Sequence, residues 1–465
     1  MRSTFGSKQR TKAMTYPLII LCFCSLLCTA QSTTAAIDQP LPAQTQPTLT
    51  LNEQLFDSIA NGNFQEIQTL LNAGADVNSK TEMEFFAGST PLFMTLDPHI
   101  IQLLIDHGAD VNSIIEDNMT PLMAAASRST DPLLLTTLIN AGADIHAQDI
   151  HGRTPIIYAA MANPNPIAIT TLIEAGADIH AITRGNFNLL MYAAKYNESP
   201  DVIRTIIQAG LDIKAWNELG KNAILIASSD NANPEVVEAL IDAGADVHSR
   251  TKNLHSNGRT PLMLATTNGY ANPQILQVLI NSGADVNARI IGGPGNKLTP
   301  LMIASYGAWN PEIIRVLVEA GAQINTGDDD GQTPLMYAAE SNHNLAIIET
   351  LIKHGADVNA ESDFGWAPLM WAAWANSNPE IITTLIHAGA NVNARSQSES
   401  GHGRTALSIT FEKNLNKPKI VNALLIAGAD AKIKDTKGLT ALDYAKKDSR
   451  FKRTQAFKAL EEASN

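Results

Sequence analysis

The chain has 465 residues, 45% hydrophobic but only 5% aromatic, so its core must be built from Leu, Ile, Val and Ala. Its formal net charge of −13 argues against nucleic acid and anionic membranes as primary partners, because both present phosphate to a protein surface. Length alone suggests two or three ordinary domains, but the internal periodicity described below overrides that expectation.

Residues 1–30 differ from the rest. Arg2, Lys8, Arg10 and Lys12 make a cationic start, Leu18 to Leu27 is an apolar run, and Cys28-Thr29-Ala30 offers small residues for cleavage after Ala30. This three-part pattern predicts a secretory signal peptide. The apolar run is shorter than the ~20 residues needed to span a bilayer, and no later segment is apolar for long enough. All three cysteines, Cys22, Cys24 and Cys28, lie in this leader, so the mature chain is expected to have neither disulfides nor thiolate metal sites. Leu27 and Phe23, which precede Cys28 and Cys24, are not the small residues that a lipid-modified cysteine requires. Loss of the four leader cations takes the formal charge from −13 to −17. Residues 31–50, rich in Thr, Gln, Pro and Ala without helical periodicity, are read as a disordered spacer.

From Leu51 one phrase recurs: NAGADVN at 72–78, HGADVN at 107–112, AGADIH at 141–146 and 175–180, and variants as far as AGADAK at 427–432. Its glycines stand at 74, 108, 142, 176, 210, 244, 283, 321, 355, 389 and 428, spaced mostly by 34 and otherwise by 38 or 39. A second phrase keeps register with the first, as in Thr120-Pro121-Leu122-Met123-Ala124-Ala125 and Thr333-Pro334-Leu335-Met336-Tyr337-Ala338-Ala339. Thr caps a helix whose first position is Pro. The apolar spacing of Ile313, Ile314, Leu317 and Val318 then predicts a second helix buried on one face. The Gly that follows ends it in a left-handed conformation, and Ala-Asp-Val-Asn turns the chain into a hairpin.

These phrases, at this period, resemble the ankyrin-repeat family, whose units of about 33 residues carry T-P-L-H-x-A ahead of two antiparallel helices. The resemblance covers residues 51–465. It implies an all-α solenoid of stacked helix-turn-helix units joined by β-hairpin loops. Two departures stand out. The family's His after TPL is mostly Met here (Met123, Met263, Met302, Met336, Met370), and its Gly-His turn becomes a cap followed by Pro: Asp131-Pro132, Ser199-Pro200, Asn233-Pro234, Asn272-Pro273, Asn310-Pro311 and Asn378-Pro379. Twelve helix pairs are expected, with an N-terminal cap at 51–78 and a C-terminal cap at 432–465. At ~8–10 Å between packed helices such a stack is roughly 100 Å long.

In ankyrin proteins the partner lies against the hairpin tips and first helices, which form the concave side, and the resemblance implies the same here. Insertions point to the hairpins independently. The interval from the Val or Ile of the GAD phrase to the next Thr position is 9 in most repeats but 13 at Val77–Thr90, Val247–Thr260, Val286–Thr299 and Val392–Thr405. The tightest aromatic group is Phe364, Trp366, Trp371 and Trp374, with Tyr306 and Trp309 nearby in repeat order. Set on the ankyrin pattern, Phe364 and Trp366 fall on a hairpin. Trp374 and its equivalent Tyr306 fall on the exposed side of first helices, and Trp371 fills a gap between repeats. Exposed Trp and Tyr most often dominate binding energy. The expected protein-contact residues are Tyr306, Trp309, Phe364, Trp366, Trp374, Arg153, Phe187, Arg259 and Arg404.

Other chemistry fails on inspection. Asp328-Asp329-Asp330-Gly331 suggests a calcium loop, but the twelfth loop position is Tyr337 where a bidentate Glu is required. His146 with His151, and His248 with His255, lie on hairpins without a third ligand, and His146, His180 and His248 replace the second Asn of the repeat. Gly292-Gly293-Pro294-Gly295 is a loop and not a phosphate cradle, and no nucleophile elbow, Walker loop or dinucleotide fingerprint is present. The reading is a non-enzymatic, monomeric protein-binding scaffold without cofactor, metal, nucleic acid or membrane insertion of the mature chain, acting in the periplasm or after secretion. An alternative is a secreted effector that binds host proteins.

Overall fold

The computed structural model describes residues 49–82, 88–252, 258–266, 272–291, 297–397, 402–412 and 417–465. The leader, the spacer as far as residue 48, His255 and Gly292-Gly293-Pro294-Gly295 lie outside the described residues. The chain divides into two compact units, one comprising the described part of Met1–Ala193 with Gln208–Leu211, the other Ala194–Ile207 with Asp212–Asn465.

Local sequence explains the repeated element. Thr120 and Thr260 close the start of their helices by accepting from the N–H groups of Met123 and Met263, each at 3.3 Å. Pro occupies the first helical position in both, where a missing N–H costs nothing. The methionines that replace the family's His have a part here. Met302 and Met336 place Sδ 3.4 Å from the backbone nitrogens of Thr299 and Thr333, a weak acceptor where a capping box normally has Glu or Gln. Second helices begin on Asp131, Asn233, Asn272, Asn310 and Asn378, whose side chains accept from the backbone two residues on at 2.8–3.0 Å. They end as at Pro311–Glu319, where Gly321 at φ 92° lets its own N–H reach the Val318 carbonyl and that of Ala322 reach Leu317.

In the first unit these pairs include Leu51–Ala60 with Phe64–Asn72, Pro121–Arg128 with Pro132–Asn140, and Pro155–Ala162 with Ile167–Glu174. A 3-10 turn, Pro91–Phe93, stands in for the first helix before Pro98–Asp106. In the second unit they run from Ala223–Asp230 with Pro234–Asp242 to Ala441–Ala445 with Gln455–Ser464. First helices pack on first helices: Pro334–Ser341 lies between Pro300–Gly307 and Pro368–Ala375. The alanines make this close approach possible, and Ala338, Ala339, Ala372 and Ala373 are wholly buried.

The hairpins are slighter than the β-hairpins expected. Among the described residues there is no strand, only the isolated bridge Thr183–Phe187. Most loops are closed by one backbone bond four residues apart, as from the Asp149 N–H to the Arg153 carbonyl (3.1 Å) or from Asp328 to Gln332 (3.1 Å). At the four expanded hairpins the same bond spans eight residues: Thr81 to Ser89, Thr251 to Arg259, Ile290 to Leu298 and Ser396 to Arg404. The extra residues thus enter beyond an unchanged base.

Candidate protein-binding face

The hairpin returns the chain so that the residue just before a helix cap meets the one five positions on. In the first unit the Arg153 guanidinium lies over the Tyr158 ring at 5.0 Å, and the Phe187 ring is 5.6 Å from Tyr192. In the second, Trp366 is 4.9 Å from Trp371. Trp374, three residues further on the same helix face, packs edge-on to Trp371 at 5.5 Å and to Trp366 at 5.6 Å. Phe364 closes the group at 6.4 Å from Trp371. Tyr306 meets Tyr337 edge-on at 6.4 Å.

Exposure separates the members. Trp366, expected to project from its hairpin, is only 9% exposed, and Trp371 8%; the ring of Trp366 is held inside the group by its two tryptophan neighbours. Neither indole N–H of this pair has an acceptor. Tyr306 is 56% exposed, Trp309 76% and Phe364 38%, and Trp374 is half-buried. Trp309 sits apart, on the loop after its helix, where its carbonyl accepts from Asn344 Nδ2 at 2.6 Å.

A neighbouring substitution explains the orphaned indole of Trp371. In three other repeats this position is a Tyr whose hydroxyl donates to the Asp at the hairpin base: Tyr158 to Asp149 at 2.8 Å, Tyr337 to Asp328 at 2.6 Å, and Tyr444 to Asp435. Burial, reinforced by Asp149 against the opposing effect of Arg153, pushes the Tyr158 hydroxyl well above its ordinary range. Beside Trp371 the base residue is Ser362, whose Oγ accepts from the Trp366 backbone N–H at 3.3 Å. Trp371 therefore has no carboxylate to meet.

Two of the expected arginines are already committed within the chain. Arg153 Nε is 2.6 Å from the buried Asp149 carboxylate, and Arg404 binds Glu412 at 2.9 Å with Asp435 at 4.0 Å. Arg259 differs: the Lys221 ammonium feels its positive charge, and on the other side that of Lys195 in the repeat before Lys221. Lys195 Nζ stands 3.9 Å from Asp230, and Lys221 Nζ donates to Ser229 Oγ at 3.1 Å. Lys195 and Lys221 escaped the sequence reading, although Lys221 precedes its cap as Arg153 and Arg259 do.

The candidate calcium loop is used structurally. Asp328 accepts from the N–H groups of Asp330 and Gln332 as well as from Tyr337, and Asp329 pairs with Lys297 at 3.2 Å. Among the described residues no helix is long and apolar enough to cross a membrane. The family model described as ankyrin repeats (3 copies) matches residues 55–149, 123–217, 190–290, 273–362, 301–396 and 369–460. No curated protein matches the chain.

Proposed function

The chain belongs to the ankyrin-repeat family, whose members are in general non-enzymatic protein-interaction scaffolds, and we propose that it is exported and holds a protein partner against the first-helix and hairpin side of its second unit. The observation that carries this reading is the exposure of Phe364 in the group of the half-buried Trp374, and of Tyr306 and Trp309 two repeats earlier, on a framework of closely packed alanines. Large rings with few rotatable bonds give much contact area for little entropy, which is why such residues dominate interfaces. Tyr306 rests on Tyr337, Phe364 on Trp371, and Trp374 on Trp366 and Trp371. Export rests on the cationic and apolar leader of residues 1–30.

Capture from periplasmic extract on immobilised protein tests both parts. Wild type retains one stoichiometric partner. Tyr306→Ala with Trp374→Ala weakens capture about thirtyfold, the effect of losing ~2 kcal/mol, with the helical circular dichroism signal intact. Unchanged capture by a folded double variant excludes the rings. Retention of a partner only from host-cell extract favours the effector reading, and normal export of Leu21→Arg removes the localisation.

A further inference from the structure

The second unit holds a patch of net positive charge in a chain with 46 acidic and 33 basic residues. Lys195, Lys221 and Arg259 come from three successive repeats, and among the described residues the acidic group acting on Lys221 is Asp230, which also pairs with Lys195. Residues 253–257 and 267–271, adjoining Arg259 and its helix, contain no Asp or Glu in their sequence.

The comparison with other repeats makes the patch specific. The hairpin-closing residue that accompanies Arg153 is Asp149, and it neutralises that arginine at 2.6 Å. The equivalent closing residue is Asn217 beside Lys221 and Thr251 beside Arg259. Both lack charge, so the built-in counter-ion is gone at two consecutive positions. Lys221 is half-buried, and its ammonium is pushed below the ordinary lysine range first by burial and further by Lys195 and Arg259, against the pull of Asp230. Like charges gathered in a partly desolvated place are costly until an anion joins them.

We propose that Lys195, Lys221 and Arg259 receive acidic side chains of an extended segment of the partner. This rests on the protein-binding reading above and names the chemistry the partner must bring. Arg259 offers a fork suited to a carboxylate and the lysines offer point charges. Tyr196, 38% exposed with the Lys195 ammonium 4.9 Å from its ring centre, supplies an apolar edge that a free anion would not use. Neighbouring repeats lie ~10 Å apart, the span of about three residues in an extended chain, so acidic residues three apart reach successive cations. The net negative charge of the molecule does not forbid this, because exposed charges beyond ~8 Å are screened at physiological salt.

The test uses the full chain and a fluorescein-labelled peptide of ten glutamates, read by fluorescence anisotropy. Wild type binds it in a salt-sensitive way. Lys221→Met with Arg259→Gln weakens binding at least about tenfold, and so does Arg259→Gln alone to a smaller degree, while Lys432→Gln, an exposed lysine elsewhere, has no effect. Absence of peptide binding by wild type, or equal binding by a folded double variant, overturns the proposal. So does tighter binding of an oligothymidylate of the same length through the same residues, because the patch would then prefer phosphate. Tyr306→Ala with Trp374→Ala leaves this assay unchanged. A chain that fails with glutamate but still captures its partner through those rings refutes the acidic-segment proposal alone, whereas loss of ring-dependent capture refutes the wider reading.

Discussion

Asn376 ties two repeats together with one side chain. It is fully buried, and its Nδ2 donates at 3.0 Å to both the Ala339 and the Asn342 carbonyls of the preceding repeat. Those carbonyls belong to the last turn of a helix and its C-cap, where no intrahelical donor is available. Asn163, Asn231 and Asn342 do the same for their predecessors. An unpaired buried carbonyl costs about 1–3 kcal/mol. Asn376→Ala is therefore expected to lower the local opening free energy around residues 334–376 by roughly 2–4 kcal/mol, read by amide hydrogen exchange on the whole chain. A change within about 0.5 kcal/mol, the size of an ordinary surface substitution, would mean that water replaces the asparagine without loss.

Between elements, a second set of asparagines links the hairpins. Asn112 Nδ2 donates to the Gly142 carbonyl at 3.0 Å and its Oδ1 accepts from the Asp144 N–H at 2.8 Å. The same two bonds recur at Asn78 and Asn325, bridging consecutive hairpins. At residue 146 the rung is His, which makes neither bond to Gly176 and Asp178. His146→Asn restores both. Because the site is exposed, each bond contributes at the low end of the ~0.5–1.5 kcal/mol range, so a gain of about 1 kcal/mol is expected. It is measurable as a raised urea midpoint at unchanged m-value. A lowered midpoint would show that His146 has contacts worth more than the rung.

Within each unit the repeats bond and pack with their sequence neighbours. First helix meets first helix and second meets second in order along the second unit. Stability in such an arrangement is close to a sum of repeat and interface terms. Leu317, fully buried in Pro311–Glu319, is a suitable probe. Leu317→Ala should cost ~2–5 kcal/mol, with amide protection falling in residues 261–353 and holding in Leu51–Asn72. Equal loss of protection in every repeat would show that the chain unfolds as one cooperative body instead.

The repeat phrases by themselves determined the helix pairs, their caps and the four expanded hairpins, because Thr-Pro, Asn-Pro and Gly act through local backbone geometry and recur at a readable interval. They also placed the aromatic group of residues 364–374, and offered Arg259 only alongside Arg153 and Arg404. What needed the tertiary structure was the fate of each side chain. Trp366 sits on a hairpin by position, yet the hairpin folds it against the helix that follows and its ring is buried between Trp371 and Trp374. Arg153 and Arg404 look in sequence like Arg259, and only the packing shows carboxylates beside two of them and the Lys221 ammonium near the third. The buried asparagines at 163, 231, 342 and 376 stand in the sequence two residues ahead of Asn165, Asn233, Asn344 and Asn378. Their role depends on which carbonyls the preceding repeat leaves open, and that is decided only when one repeat stacks on the next.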